Sequence, residues 1–323
     1  MGLISSKDNS SSFEAFVEQL PDLKDKVIAI TGCTTGLGYV FAKTCVQKNA
    51  GTVLLLNRPS ERANKAQESL QAIATSTQVE TIECDLQDFA SVQEAAAQII
   101  KEKFEALDIL CNNAGIMAVP DHATVDGYDL QMQTNYLSHF LLTKELMPLL
   151  KKAQELRGEA RVVNQLSLMR IIPYTNVKEE FLEKNGGNLG GSGYIASWRR
   201  YHQSKLAHSI FACALWDRLK GSGIKVTSAA PGYASTNIMS TTPGFNGLRW
   251  SRILARSPED GCMSLLSAAF RPVKEDKPTV WEPGRLRLYG PAVEFELEKT
   301  STKKEFKDMV WTASEEACGM FTP

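Results

Sequence analysis

No stretch of this 323-residue chain approaches the roughly 20 apolar residues that cross a bilayer. An excess of one charge is missing too. There are 36 Lys and Arg against 37 Asp and Glu, a net charge of −1. A nucleic-acid partner is a dense line of phosphates and calls for a basic surplus, so that class is set aside. A local basic pocket is still allowed. Histidine is scarce: His122, His139, His202 and His208 are the whole set, and none stands at metal-ligand spacing from a cysteine or another histidine. No metal is expected. The seven cysteines are scattered, odd in number and without a CxxC pair. They read as reduced thiols used as small core residues, which points to a cytoplasmic protein. No internal repeat is found. With 43% hydrophobic residues, the chain can bury one large core or two modest ones without a staple.

The first twelve residues, MGLISSKDNSSS, are too polar for a secretory signal. They match the N-myristoylation pattern, with Gly2 after Met and Ser6 in place. The simpler alternative is a frayed terminus. One acyl chain gives weak, reversible attachment, so the expected location is cytoplasmic, with peripheral membrane association if Gly2 is acylated. Residues 1–23 are expected as a flexible lead-in to the domain at 24–323. Within it Phe13, Phe16, Val17 and Leu20 share one helical face before Pro21, which suggests a small docked helix.

From Lys26 the pattern alternates. Apolar runs at 27–31, 52–57, 78–84, 108–112, 161–167 and 225–230 are separated by helical stretches. A long helix is expected over 127–152, which Pro148 should end or kink, and another over 201–220. Apolar strands alternating with helices predict an α/β fold. It is a single doubly wound, Rossmann-type parallel sheet flanked by helices, with ligands at the carboxyl ends of its strands.

After the first strand comes Thr31-Gly32-Cys33-Thr34-Thr35-Gly36-Leu37-Gly38. Its GxxxGxG spacing differs from GxGxxG, but the demand is the same. Backbone without Cβ atoms must approach a pyrophosphate, with a helix N-terminus aimed at it. The second strand ends at Asn57 and Arg58. An NAD site wants a carboxylate there, whereas an arginine suits a 2′-phosphate. The expected cofactor is therefore NADP(H).

Tyr-x-x-x-Lys places two side chains on one helix face, but it occurs three times: Tyr39/Lys43, Tyr174/Lys178 and Tyr201/Lys205. The first lies in the helix that must pack behind the phosphate turn, and the second in an irregular stretch. Only the third opens a helix with an apolar face (Leu206, Ile210, Phe211, Ala214, Leu215) that leads to the next strand. Asn112-Asn113-Ala114-Gly115 follows the fourth strand, Asn135 lies in the next helix, and Ser167 ends the fifth strand.

In this order, together with Asp85 after the third strand and Pro231-Gly232 with Thr236 after the sixth, the chain resembles the short-chain dehydrogenase/reductase family over roughly residues 24–270. The resemblance implies a Ser167–Tyr201–Lys205–Asn135 tetrad. Tyr201 would be the general acid in carbonyl reduction, or the base in alcohol oxidation. Lys205 would favour the tyrosinate and hold the nicotinamide ribose. Ser167 would bind the substrate oxygen, and Asn135 would anchor a water linking Lys205 to solvent. The cofactor would be bound by Thr31, Gly32, Thr34, Thr35, Gly36, Leu37 and Gly38. Arg58, Asp85, Leu86, Asn112, Ala114, Gly115, Pro231, Gly232 and Thr236 would join them.

The gap of 34 residues from Ser167 to Tyr201 is longer than in compact members. Its Gly-rich part, in an insertion at about 171–200, reads as a flexible loop on the substrate side. With a C-terminal extension at about 272–323, it resembles the retinol dehydrogenase and protochlorophyllide reductase branch, which implies a lipophilic carbonyl or alcohol substrate. Tyr233, Ile238, Met239, Phe245 and Trp250 are candidates for an apolar pocket wall. Two other functions compete: a noncatalytic NADP(H)-binding sensor or scaffold, and a reductase of a conjugated ring. A homodimer through the flanking helices is compatible with the resemblance, although the insertion could block that surface.

Overall fold

The computed structural model describes residues 6–101, 104–173, 175–232, 256–274 and 276–323. Gly2, Tyr174, Thr236 and the five pocket candidates lie outside them. The strands are β1 Val27–Thr31, β2 Thr52–Asn57, β3 Gln78–Glu83, β4 Ile109–Asn112, β5 Ala160–Gln165, β6 Ile224–Ala229, β7 Thr279–Arg285 and β8 Tyr289–Glu296. They form one sheet in the order β3-β2-β1-β4-β5-β6-β7-β8. All pairings are parallel except β7 with β8. The chain reverses direction across the sheet between β1 and β4, the crevice where such sheets bind ligands.

Because the sheet is covered on both faces, alternate residues of each strand feed two cores. Ala29, Leu54, Leu110 and Val162 pack with α4 (Phe89–Lys101), α6 (Ser138–Arg157), α7 (Tyr194–Leu219) and α10 (Lys304–Cys318). Ile28, Ile30, Val53, Leu55 and Ile109 pack with α1 (Ser6–Glu18), α2 (Gly36–Gln47) and α8 (Pro258–Phe270). Phe16 and Leu20 are buried in that second core, so the lead-in is docked at this point. The remaining helices are α3 (Glu61–Gln71), α5 (Leu130–Met132) and α9 (Lys299–Thr302).

Four features depart from the sequence expectations. The helix expected over 127–152 is instead short α5, a π-helical turn at Gln133–Leu137, and then α6. Pro148 neither ends nor breaks α6, which runs to Arg157 and stops at Gly158 with φ 81°. An interior proline costs about 3 kcal/mol. The buried residues Leu146, Met147, Leu149 and Leu150 around it offset that. Second, α7 begins at Tyr194, a turn and more before Tyr201.

Third, the Gly-rich insertion is held in place rather than flexible. The buried Asp121 carboxylate accepts from the backbone N–H of Gly187 (3.0 Å), Leu189 (2.8 Å) and Gly191 (2.9 Å). Arg200 donates to the carbonyls of Leu189 (3.0 Å), Gly191 (2.8 Å) and Val119 (3.1 Å). Fourth, the C-terminal extension supplies β7 and β8. Their hairpin presses the Leu288 carbonyl onto Gly232, where a Cβ would lie 2.6 Å from that oxygen.

Candidate active site

The phosphate turn is built by close backbone approach. A Cβ on Gly38 would lie 2.2 Å from the Gly32 carbonyl oxygen, so no other residue fits there. Asn113 Nδ2 donates to the carbonyls of Thr31 (2.8 Å) and Gly32 (3.2 Å), and Asn57 Oδ1 accepts from Cys33 N–H (2.8 Å). The ends of β1, β2 and β4 are thereby locked together. Thr35 heads α2 without capping it through its hydroxyl, so the first N–H groups of that 12-residue helix keep their capacity for an anion. Thr34, Thr35 and Gly36 are at the surface of the turn, whereas Thr31 and Leu37 are buried. Arg58 is exposed just beyond β2. Asp85 accepts from Gln87 N–H (3.0 Å), and the buried Leu86 lends its carbonyl to Ser138 (2.7 Å). These features fit a dinucleotide.

Asn112 is placed differently from its neighbours. It is fully buried, and its carboxamide donates to Thr143 Oγ1 (3.1 Å) and Asn164 Oδ1 (3.2 Å) beneath the groove. Gly115 faces two of the tetrad candidates: a Cβ there would meet Asn135 Oδ1 at 3.1 Å and Lys205 Nζ at 3.4 Å.

The four tetrad candidates converge on that point. Asn135 sits in the π turn, a local widening found often at functional sites. Its Oδ1 accepts from Ile116 N–H (2.8 Å), and its Nδ2 donates to the Ile116 carbonyl (2.9 Å) and Ser204 Oγ (2.9 Å). Ser204 passes its own proton to the Tyr201 carbonyl (2.8 Å). Lys205 is buried and donates to the Gln165 carbonyl (2.9 Å) at the end of β5. Burial pushes its ammonium down to about 8. Ser167 Oγ accepts from Met169 N–H (3.2 Å), which leaves its proton free to donate. Burial raises the Tyr201 phenol above its ordinary value, and a hydrogen bond with Ser167 pulls the other way. Of the decoy tyrosines, Tyr39 bonds Ser69 on α3, away from this convergence.

Two residues of the neighbourhood carry no sequence signal. His139 and Arg170 are buried against the tetrad's supports, yet a lone histidine in a helix and a lone arginine after a strand resemble many structural residues. Among the described residues, no group of three His, Cys, Asp or Glu could hold a metal, and no helix is long and apolar enough to cross a membrane.

The short chain dehydrogenase family model matches residues 26–178. An uncharacterized oxidoreductase of Schizosaccharomyces pombe is 37% identical over 260 residues, covering 78% of this chain and 74% of that one. The chain belongs to the short-chain dehydrogenase/reductase family. Within it the likeness is to the retinol dehydrogenase branch. Human retinol dehydrogenase 13 is 29% identical over 306 residues, 92% of this chain and 86% of that one. Among solved structures, an uncharacterized protein from Mycobacterium paratuberculosis superposes with a TM-score of 0.73 at 29% identity, covering 95% and 98% of the two chains. Neighbours of lower identity, 20% and 21%, share the family fold and were solved with NADP and NADPH bound.

Proposed function

We propose that this member of the family is an NADP(H)-dependent oxidoreductase acting on a carbonyl/alcohol pair, with a lipophilic substrate. The convergence of Ser167, Tyr201, Lys205 and Asn135 beside Gly115 at the strand ends carries this reading. A bound nicotinamide dinucleotide would supply or accept the hydride. The turn from Thr31 to Gly38 would hold its pyrophosphate, and Lys205 its nicotinamide ribose. Arg58 would pair with a 2′-phosphate, because no carboxylate occupies the end of β2 to favour a free ribose hydroxyl.

In reduction, the Tyr201 phenol gives its proton to the substrate oxygen. Ser167, which accepts from Met169 N–H, donates its hydroxyl proton to the same oxygen as negative charge develops there. The Lys205 ammonium stabilises the tyrosinate left behind. A pure cofactor sensor has no use for a buried Tyr–Ser pair, which sets that alternative second. The lipophilic substrate rests on the likeness to retinol dehydrogenases.

The test is NADPH consumption against a panel of aldehydes, ketones and quinones of graded chain length. Turnover that improves with apolar length is expected. Tight NADPH binding without turnover on any of them would leave the sensor reading in its place.

A further inference from the structure

The C-terminal extension reaches the strand end that bears Ser167 through the Arg170 side chain. Arg170 closes the single 3-10 turn that follows Ser167, and it is completely buried. Its Nη1 donates to the Ser167 carbonyl (3.0 Å), which also accepts the Arg170 backbone N–H (3.1 Å). The same Nη1 donates to Glu282 on β7 (2.8 Å), and Nε donates to Glu298 at the start of α9 (3.0 Å). Glu298 in turn accepts from Ser209 Oγ (2.8 Å) and from Ser301. Ser209 is on α7, one turn beyond Lys205 and two beyond Tyr201. Glu282 also accepts from Arg287 at the hairpin tip (2.7 Å).

Two arginines therefore face two carboxylates, and the cluster is neutral as a whole. Stability alone does not call for such a device, since well-packed apolar groups of similar volume serve a core as well or better than a buried ion pair. What fixed, charge-assisted bonds add is geometry. Here the geometry links the strand end bearing Ser167 to the helix bearing Tyr201 and Lys205.

We infer that Arg170 is a positioning residue for the reaction. Held by Glu282 and Glu298 of the C-terminal extension, it sets the main chain of Ser167 and so the aim of the serine hydroxyl relative to Tyr201. Buried as it is, Arg170 acts through the Ser167 main chain and not on the reacting atoms. The extension is then part of the catalytic apparatus. This rests on the carbonyl-reductase reading above.

The experiment uses the full chain and a carbonyl substrate found in the panel. Arg170→Met, Glu298→Gln, Ser167→Ala and the double variants of Ser167→Ala with each of the first two are compared. Folding is monitored by circular dichroism and NADPH affinity by fluorescence titration. Misplacing a reacting group by about 1 Å costs on the order of a hundredfold. Arg170→Met should therefore lower kcat by about ten- to a hundredfold, with NADPH affinity changed less than about threefold. Glu298→Gln, which keeps shape and removes charge, should lower kcat less, by about threefold or more. In the Ser167→Ala background either change should lower kcat by less than about twofold, because the serine through which it acts is gone.

Losses that multiply fully in the double variants would overturn the inference and make Arg170 a structural residue. So would an unchanged kcat in both single variants. If Arg170→Met does not fold, Glu298→Gln and its double variant decide alone. A wild-type chain that binds NADPH but turns over nothing would bring down the reductase reading, and this inference with it. A working wild type with insensitive variants would bring down this inference only.

Discussion

His139 Nε2 lies 3.0 Å from the hydroxyl of Thr31. The Thr31 oxygen already accepts from the backbone N–H groups of Asn113 (3.0 Å) and Ala114 (2.9 Å), so its own proton is the one given to His139. The imidazole proton must then reside on Nδ1, which faces the Asn135 carbonyl at 3.3 Å. The ring joins the phosphate turn to the tetrad's asparagine. Burial, aided by the Lys205 charge, pushes His139 down to about 3 against the pull of that carbonyl. Nitrogen NMR should show a neutral ring with the proton on Nδ1, unchanged from pH 8 to pH 5. His139→Phe should cost about 1–3 kcal/mol in denaturant unfolding, as hydroxyl and carbonyl lose their partner. A neutral ΔΔG would contradict this assignment.

Cofactor choice is a second test. Replacing Arg58 by Asp removes the one cation at the β2 end that the sequence singles out. A hydrogen bond to a charged group is worth about 1.5–3 kcal/mol, so NADPH affinity should fall by about ten- to a hundredfold, with NADH affinity little changed or improved. Equal losses for both cofactors would place Arg58 outside 2′-phosphate recognition.

The insertion offers a pH test. Asp129 caps α5 by accepting from Gln131 N–H (3.1 Å) and Met132 N–H (2.9 Å), and it lies 3.3 Å from Arg200 in a pair too poorly aligned to be a hydrogen bond. Burial, with nearby Asp121, raises its carboxyl to about 6, and the two backbone bonds and Arg200 offset this only in part. A carboxyl raised by folding keeps its proton in the native state while the unfolded chain has already released it. Stability should therefore fall as pH rises from about 4 to about 6, and change little from this cause above that. The slope should shrink in Asp129→Asn, read from urea midpoints across that range. An unchanged slope would assign it to other groups.

Asp121 gives a mechanical counterpart. Asp121→Ala strips three backbone N–H groups of the insertion of their acceptor and takes one carboxylate from buried Arg200. Breaking a buried pair costs about 3–5 kcal/mol. Limited proteolysis between residues 185 and 193 should become rapid in the variant and stay slow in the wild type. Equal rates would mean that other contacts hold the loop.

Activity should follow pH through the tetrad. In the proposed reaction the Lys205 ammonium, lowered by burial to about 8, has to be charged to stabilise a Tyr201 tyrosinate. Carbonyl reduction should thus be level below about pH 7 and decline above about 8, while alcohol oxidation, which needs the Tyr201 proton removed, should rise. Lys205→Met should abolish both profiles; a retained decline near pH 8 would point to another group.

The sequence made the inner sheet legible because β1, β2, β4 and β6 are buried runs bounded by turns. It hid β7 and β8, where Pro283, Gly284, Gly290 and Pro291 interrupt the pattern within the strands themselves. The insertion misled for a related reason. Glycine there reads as slack in the sequence, yet a Cβ on Gly186 would lie 2.4 Å from the Tyr128 carbonyl oxygen, so its smallness serves close packing. The tetrad candidates were found through the order of motifs along the chain. Arg170 and His139 were not, because their importance is made by partners more than a hundred residues away, such as Glu298 and Thr31.

The π turn at Gln133–Leu137 has a consequence for the residues that can be lost. A regular helix advances about 100° per residue. Deleting Gln133 or Thr134, ahead of Asn135, lets the turn rewind as an ordinary helix and swings Asn135 by that angle, away from Ile116 and Ser204. The amide's aim is thus set by counting as much as by chemistry. A chain shortened by one here could keep every tetrad side chain and still lack the arrangement they make.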